Sequence, residues 1–389
     1  AVAMIPYILQ DRRNVPDVPL LPWIRGSIAF VALALLALRA FPRLRGYHRA
    51  FLVVTTAALE IGTGICMGLA AAEPTFRGGA AKDPARVVGP EKCGECHKSE
   101  LATWGLTHHA QTFQEMHRKP RAQEIVGKLG GSRIKVNPYC LTCHYTEGMR
   151  DGKSVAMWGV TCESCHGAAR DWVDVHNSYG PKGTTKETET AAHRTERLAK
   201  SAAAGMIRPQ ELYRAVSNCF QCHTVPDEEL VNVGGHKPRS EFELVAWSQG
   251  EIRHNFKNSA DAKNRPATAA HKRVLFVTGI ALDLEYSLRA AARATKAGPY
   301  LDSASQAIAG ARKRLQAVQA VTPLPAVAAM LKATDDLVAK AGDSAPLLRA
   351  AESVGTAAKG FVAEHDGNAL ASLDKLLPAA STYRGTPQS

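Results

Sequence analysis

The chain has 389 residues, more than one small domain needs and enough for two or three. Its formal charge of +12 invites a nucleic-acid partner, but several of the arginines (Arg39, Arg43, Arg45 and Arg49) sit in one short loop between apolar runs, so no fixed basic patch for DNA or RNA is indicated. Of the nine cysteines, eight fall between Cys93 and Cys222 in one repeated pattern, and only Cys66, inside an apolar run, stands apart as a small buried residue.

In chain order, Ala1 to Gln10 is apolar but too short to span a bilayer, and it reads as the trimmed end of an export signal or of an earlier helix. Asp11 to Pro22 is polar and proline-bearing, hence a loop. Two membrane-length runs come next, Trp23 to Leu38 and Phe51 to Ala72. Trp23 would sit at the interface, with Arg25 snorkelling toward water. The positive-inside rule puts the arginine loop in the cytoplasm, so the second helix delivers the remaining chain to the outside. Core helices of a soluble domain are the alternative, and the arginine loop weighs against it. Glu60, the one charge in the second run, is either a functional group or a carboxyl hydrogen-bonded to a neighbouring helix. Glu73 to Gly89 reads as a linker, which sets the anchor at 1–75.

Four times the next stretch carries Cys-x-x-Cys-His: Cys93, Cys96 and His97; Cys140, Cys143 and His144; Cys162, Cys165 and His166; Cys219, Cys222 and His223. This is the attachment pattern of a c-type haem. Two thiols three positions apart reach the two vinyl groups on one porphyrin edge, and the following histidine is placed beneath the iron. Zinc ribbons share the Cys-x-x-Cys half but do not require the histidine. Disulfides across two residues would tie down very little chain. The expectation is four covalently bound haem c groups in a domain over 76–266, mainly α, with short helices, loops and little sheet because haems fill the interior. Their eight propionates would bring the formal charge down to about +4. Covalent attachment takes place outside the bacterial cytoplasm, in agreement with the arginine loop.

Lys182 to Gly205 is polar and alanine-rich, a solvent-facing helix. From Thr268 onward alanine and leucine dominate, with helical spacing through Val274, Leu275, Val277, Ile280, Leu284 and Leu288. Breakers near Gly298-Pro299, Thr322-Pro323, Gly342 and Gly367 divide 267–389 into four helices that pack on the haem segment or on a partner.

Function turns on the second axial position of each iron, since histidine on both sides makes an electron carrier and an open side makes a binding site. Of the ten histidines outside the motifs, His109, His176, His236 and His254 lie where they could serve as distal ligands. His108 competes with His109, while His48, His117, His193, His271 and His365 read as surface or packing residues.

Trp104-Gly-Leu-Thr-His-His109-Ala, Gly159-Val-Thr-Cys162-Glu-Ser-Cys-His-Gly167, Gly234-Gly-His236, Arg253-His254-Asn-Phe256 and Leu282-Asp-Leu-Glu-Tyr286 resemble the tetrahaem cytochrome c-554 family, from Pro90 to Leu288. The apolar runs and the last helices lie outside the resemblance. The resemblance implies that His109 closes the third haem (His166) and His176 the first (His97). It implies His254, or else His236, at the fourth (His223). The second haem (His144) is open in that family's best-known member, and here His236, Met149 or Met157 could close it. Crossed ligation of this kind implies close haem pairs.

The leading expectation is a membrane-anchored electron carrier on the periplasmic side of a bacterial cytoplasmic membrane, more a subunit than an enzyme. It would serve an integral-membrane respiratory or photosynthetic complex and exchange electrons with a soluble cytochrome c or another acceptor. Two alternatives are a quinol-oxidising subunit, with quinone near Glu60 or Arg25, and a nitrogen-oxide reductase at an open second haem.

Overall fold

In a computed structural model of the chain, residues 83–256 and 263–387 are described. The chain divides into two units, Ala1–Thr75 and Phe76–Ser389, and all the described residues belong to the second. Both apolar runs expected to cross a membrane, with Arg25, Glu60 and Cys66, lie outside the described residues. Among the described residues no helix is long and apolar enough to span a bilayer.

The described residues are mainly helical, with one two-stranded hairpin among them. Five short helices come first: α1 (Pro90–Gly94), α2 (Lys98–Gly105), α3 (His108–Glu115), α4 (Pro120–Lys128) and α5 (Pro138–His144). Their starts are written locally. Proline opens α1, α4 and α5, where its missing N–H costs nothing. Thr107 caps α3 by accepting from the Ala110 N–H at 3.3 Å, and Asn137 caps α5 from Tyr139 at 3.1 Å. The hairpin pairs β1 (Thr146–Arg150) with β2 (Lys153–Trp158) around Asp151-Gly152, whose φ values of 51° and 73° suit the tight turn that matches strand twist.

Next come α6 (Cys162–His166), α7 (Ala191–Ala203), α8 (Leu212–His223), α9 (Glu228–Asn232) and α10 (Leu244–Ser248). The polar segment expected to be a helix over 182–205 is helical only in α7, after a run of turns. Three of the motifs end a helix, at His144, His166 and His223. One helical turn puts cysteines three apart on one face, with the histidine beside the second.

The composition change at Thr268 coincides with a helix start, because Thr268 caps α11 (Ala269–Arg293). Its 25 residues extend roughly 37 Å. Val277, Ala281, Leu282, Leu284 and Leu288 are wholly buried along it, the signature of a helix surrounded on every side. α12 (Pro299–Val321) and α14 (Ser344–Glu364) pack against α11, with α13 (Pro325–Lys332) between them in sequence and 3₁₀ turns at Asn368–Leu376 closing the end. These boundaries fall at the expected breakers.

α8 and α10 also pack on α11, and Val216, Phe220, Leu244 and Val245 belong to the same apolar core as the C-terminal helices. Polar links tie the same elements. Tyr213 on α8 donates to Glu285 at 2.5 Å, Arg289 donates to Glu285 at 3.0 Å, and Arg239 and Arg314 both donate to Asp283 at 2.5 Å. Each buried carboxylate is therefore matched by cations, as its desolvation requires. α14 approaches this network at Gly355, where a Cβ would stand 2.8 Å from the Glu285 carboxylate.

Candidate functional site

The eight histidines singled out from the sequence meet in four couples. Ring centroids are 6.4 Å apart for His97 and His176, 6.4 Å for His144 and His236, 6.3 Å for His109 and His223, and 6.3 Å for His166 and His254. A metal–imidazole bond is about 2.0–2.1 Å, and the nitrogen lies roughly 1.1–1.2 Å from its ring centroid, so two rings on opposite sides of one ion sit about 6.2–6.6 Å apart. Direct ring packing is closer, as where His223 stacks on Phe242 at 4.6 Å. Among the described residues no three His, Cys, Asp or Glu side chains converge as a metal cage. The donors come in opposed twos, which suits an ion already held in a macrocycle rather than a zinc ribbon.

Backbone carbonyls aim the rings. The Nδ1–H groups of His166, His176, His236 and His254 donate to the carbonyls of Ile207 (3.0 Å), Val173 (2.5 Å), Lys237 (2.7 Å) and Ile252 (2.7 Å), and His223 Nδ1 meets Ser240 Oγ at 2.8 Å. Donation from Nδ1 fixes the tautomer and leaves the Nε2 lone pair for a metal. Burial, followed by the nearby His236, His109 and Lys119, pushes His144 down to about 4; burial, with His109 and His144, pushes His223 down to about 3. Burial also lowers His109, His166 and His176. For these five histidines burial favours the neutral imidazole, the form that ligates.

The eight motif cysteines are free thiols. They also adjoin across motifs: Cys162 neighbours Cys93, and Cys143 neighbours Cys222, and this proximity together with burial raises Cys93 and Cys222 above the usual thiol range. Asn218 on α8 donates to the Cys165 carbonyl at 3.0 Å, joining the third motif to the fourth. Glu163, between the two cysteines of the third motif, is fully buried and accepts from the N–H groups of Val88 (3.1 Å), Gly89 (2.8 Å) and Ala169 (2.7 Å). It clamps the segment entering the first motif onto the third.

The same region holds buried polar atoms without a protein partner: Trp172 Nε1, Tyr145 Oη, Arg208 Nη2 and Arg253 Nε. Buried donors are rarely left unpaired, and a bound group bearing carboxylates would satisfy them. The opposed imidazoles, the paired thiols and these unpaired donors fit haem c.

The couples differ from the resemblance in two places. His109 faces His223 rather than His166, and His254 faces His166 rather than His223. The cause lies in α3, which Gly159 and Val160 hold against the second motif. Val160 N–H donates to the His109 carbonyl at 3.0 Å, and Thr112 donates to the His144 carbonyl at 2.9 Å. Cys143 of that second motif adjoins Cys222 of the fourth, so the ring of His109 is brought to the fourth. A Cβ at Gly159 would lie 2.2 Å from the His109 carbonyl oxygen, so only glycine permits this contact. His176 faces His97, and His236 faces His144, while Met149 is exposed and Met157 lies across the hairpin from Gly148. His108 turns away to Glu251, at 2.8 Å.

Several residues that position ligands carry no signature in the sequence. Glu163 and Ser240 are two of them. A third is Arg197, which donates to the His176 carbonyl at 2.5 Å and to Glu189 at 2.5 and 2.7 Å.

Residues 92–167 match the family described as cytochrome c554 and c-prime. Over 106 residues the chain is 31% identical to cytochrome c-554 of Nitrosomonas europaea, in an alignment covering 24% of this chain and 43% of that protein. The chain thus spans less than half the length of that relative. No solved structure matches.

Proposed function

We infer that this chain, a cytochrome c554-like c-type cytochrome of electron transfer with covalently bound haem c, carries four such groups and relays electrons on the periplasmic face of a bacterial membrane. The observation that carries the number is the set of four histidine couples, each at 6.3 or 6.4 Å and each including the histidine of one motif. When bound, haem supplies reversible one-electron chemistry.

The chain's own residues do the rest. The eight cysteines of the motifs would form the thioethers, and the four histidine couples would hold the irons. His236 faces His144 and would hold the second iron from the side that a nitrogen-oxide reductase would need open, which favours the carrier over that alternative. The contacts of Cys93 with Cys162, Asn218 with Cys165 and Cys143 with Cys222 support a spatial order of first, third, fourth and second site. The first and second sites are then the ends through which electrons enter and leave. Trp23 to Leu38 and Phe51 to Ala72 would anchor the chain beside an integral-membrane complex, with a soluble cytochrome c or quinone as exchange partner.

Mass spectrometry of the purified full-length protein should show four covalent haem groups, and its electron paramagnetic resonance spectrum only low-spin ferric signals. Fewer attached haems, or a high-spin centre that binds carbon monoxide, would overturn this reading.

A further inference from the structure

Residues 115–137, which lead into the second motif, carry Arg118, Lys119, Arg121, Lys128, Arg133 and Lys135 against only Glu115 and Glu124. The carboxylates are already engaged: Glu124 pairs with Arg121 (2.6 Å) and Lys128 (2.8 Å), and Glu115 with Lys119 (3.6 Å). A net positive charge is left over, and Arg118 and Arg133 are exposed.

Part of this charge lies beside one histidine couple. Arg121 Nη2 donates to the carbonyl of Gly235, next to His236, at 2.5 Å, and a Cβ at Gly235 would lie 3.3 Å from Arg121 Nη2 and 3.7 Å from Lys128 Nζ. Amid these cations two large apolar side chains face solvent, Val136 at 55% and Val233 at 47% exposure. Val233 is joined to the basic segment because Gly234 packs on Leu129, whose side chain would lie 3.2 Å from a Cβ there. The opposite end of the order has no such sign, since Lys92 and Lys98 alternate with Glu91, Glu95, Glu100 and Asp174 around His97 and His176.

We propose that the basic face with its apolar centre beside the His144–His236 couple is the docking site for an acidic electron-transfer protein. The proposal rests on the haem-bearing reading above. Transient redox complexes are small, and opposite charge steers the partners while a short apolar contact seats them. An anionic lipid surface would also meet the charge. It would not, however, need the two valines placed beside a redox couple.

The test uses the full-length, haem-loaded protein in detergent and reduced plant-type ferredoxin, a small acidic donor, in stopped flow. The second-order rate constant should fall about tenfold or more between low and high salt. At low salt the exposed double variant Arg118→Glu/Arg133→Glu should be slower by about tenfold with its visible spectrum unchanged. Lys313→Glu on α12 should react like the unaltered protein. Calorimetric titration with oxidised ferredoxin should show the same loss of binding in the double variant, a readout that does not depend on haem. A rate and affinity independent of salt, or equal in the unaltered protein and the double variant, overturns the proposal. So does a double variant that loses only its binding to phosphatidylglycerol vesicles, which would make the face a lipid surface. Haem mass on the same sample judges the functional reading separately.

Discussion

Replacing His236 by alanine removes the ring that faces His144 at 6.4 Å, while leaving all eight cysteines in place. Haem content should stay unchanged, but about a quarter of the haem should become high-spin and bind carbon monoxide, as visible and paramagnetic resonance spectra would report. His109 is exposed to a subtler change. Gly159→Ala would force a methyl against its carbonyl, so the low-spin signal of the fourth couple should weaken and stability fall by about 1–3 kcal/mol. Glu189 gives a pH dependence. The Arg197 guanidinium, followed by His193, holds its carboxyl down to about 2 from an ordinary 4.5. Its folded value is depressed, so its stabilisation is full above pH 4.5 and is lost as pH falls toward 2. Between those limits the thermal midpoint of the natural chain should drop more than that of Glu189→Gln. At this scale the candidate attachment residues stand out in the sequence because thioether chemistry demands a contiguous pattern. Distal partners are not. They stand 79 to 114 residues from their proximal histidines, and the contact of Gly159 with α3 decides which ring His109 meets.

Among the elements, α11 bears the packing of everything around it. Leu282→Ala would open a cavity at a wholly buried site flanked by α12 and α14, at a cost of about 2–5 kcal/mol measured by urea titration. Gly355→Ala should cost about 1–3 kcal/mol, because its methyl would press on the carboxylate that Tyr213 and Arg289 share. The C-terminal helices could be read ahead of the structure, since glycine and proline mark their ends and helical spacing marks α11. The hairpin could not be read from strand periodicity in so short a stretch, although Asp151-Gly152 is its turn signal. Neither Asp283 nor Glu285 betrays a buried role in sequence, where a charge on a helix reads as solvated. Only the arrival of Arg239, Arg314 and Tyr213 shows why they are tolerated.

For the whole molecule, composition separates 76–266 from 267–389, yet α8, α10 and the C-terminal helices share one apolar core. Thermal unfolding of the loaded protein followed by Soret absorbance and by helical circular dichroism should give one coincident transition; two separate midpoints would show independent units. Crossed partnering also governs how such a chain is made. His176, His236 and His254 each lie downstream of the motif whose histidine they face, and His109 alone lies upstream of its own. On the four-haem, exported reading proposed above, the first three irons would meet a proximal ligand well before the distal one has emerged. Only the last would find its mate already waiting. Maturation would then be a sequence of half-finished centres completed from behind, with its most vulnerable moment just before residue 254 emerges.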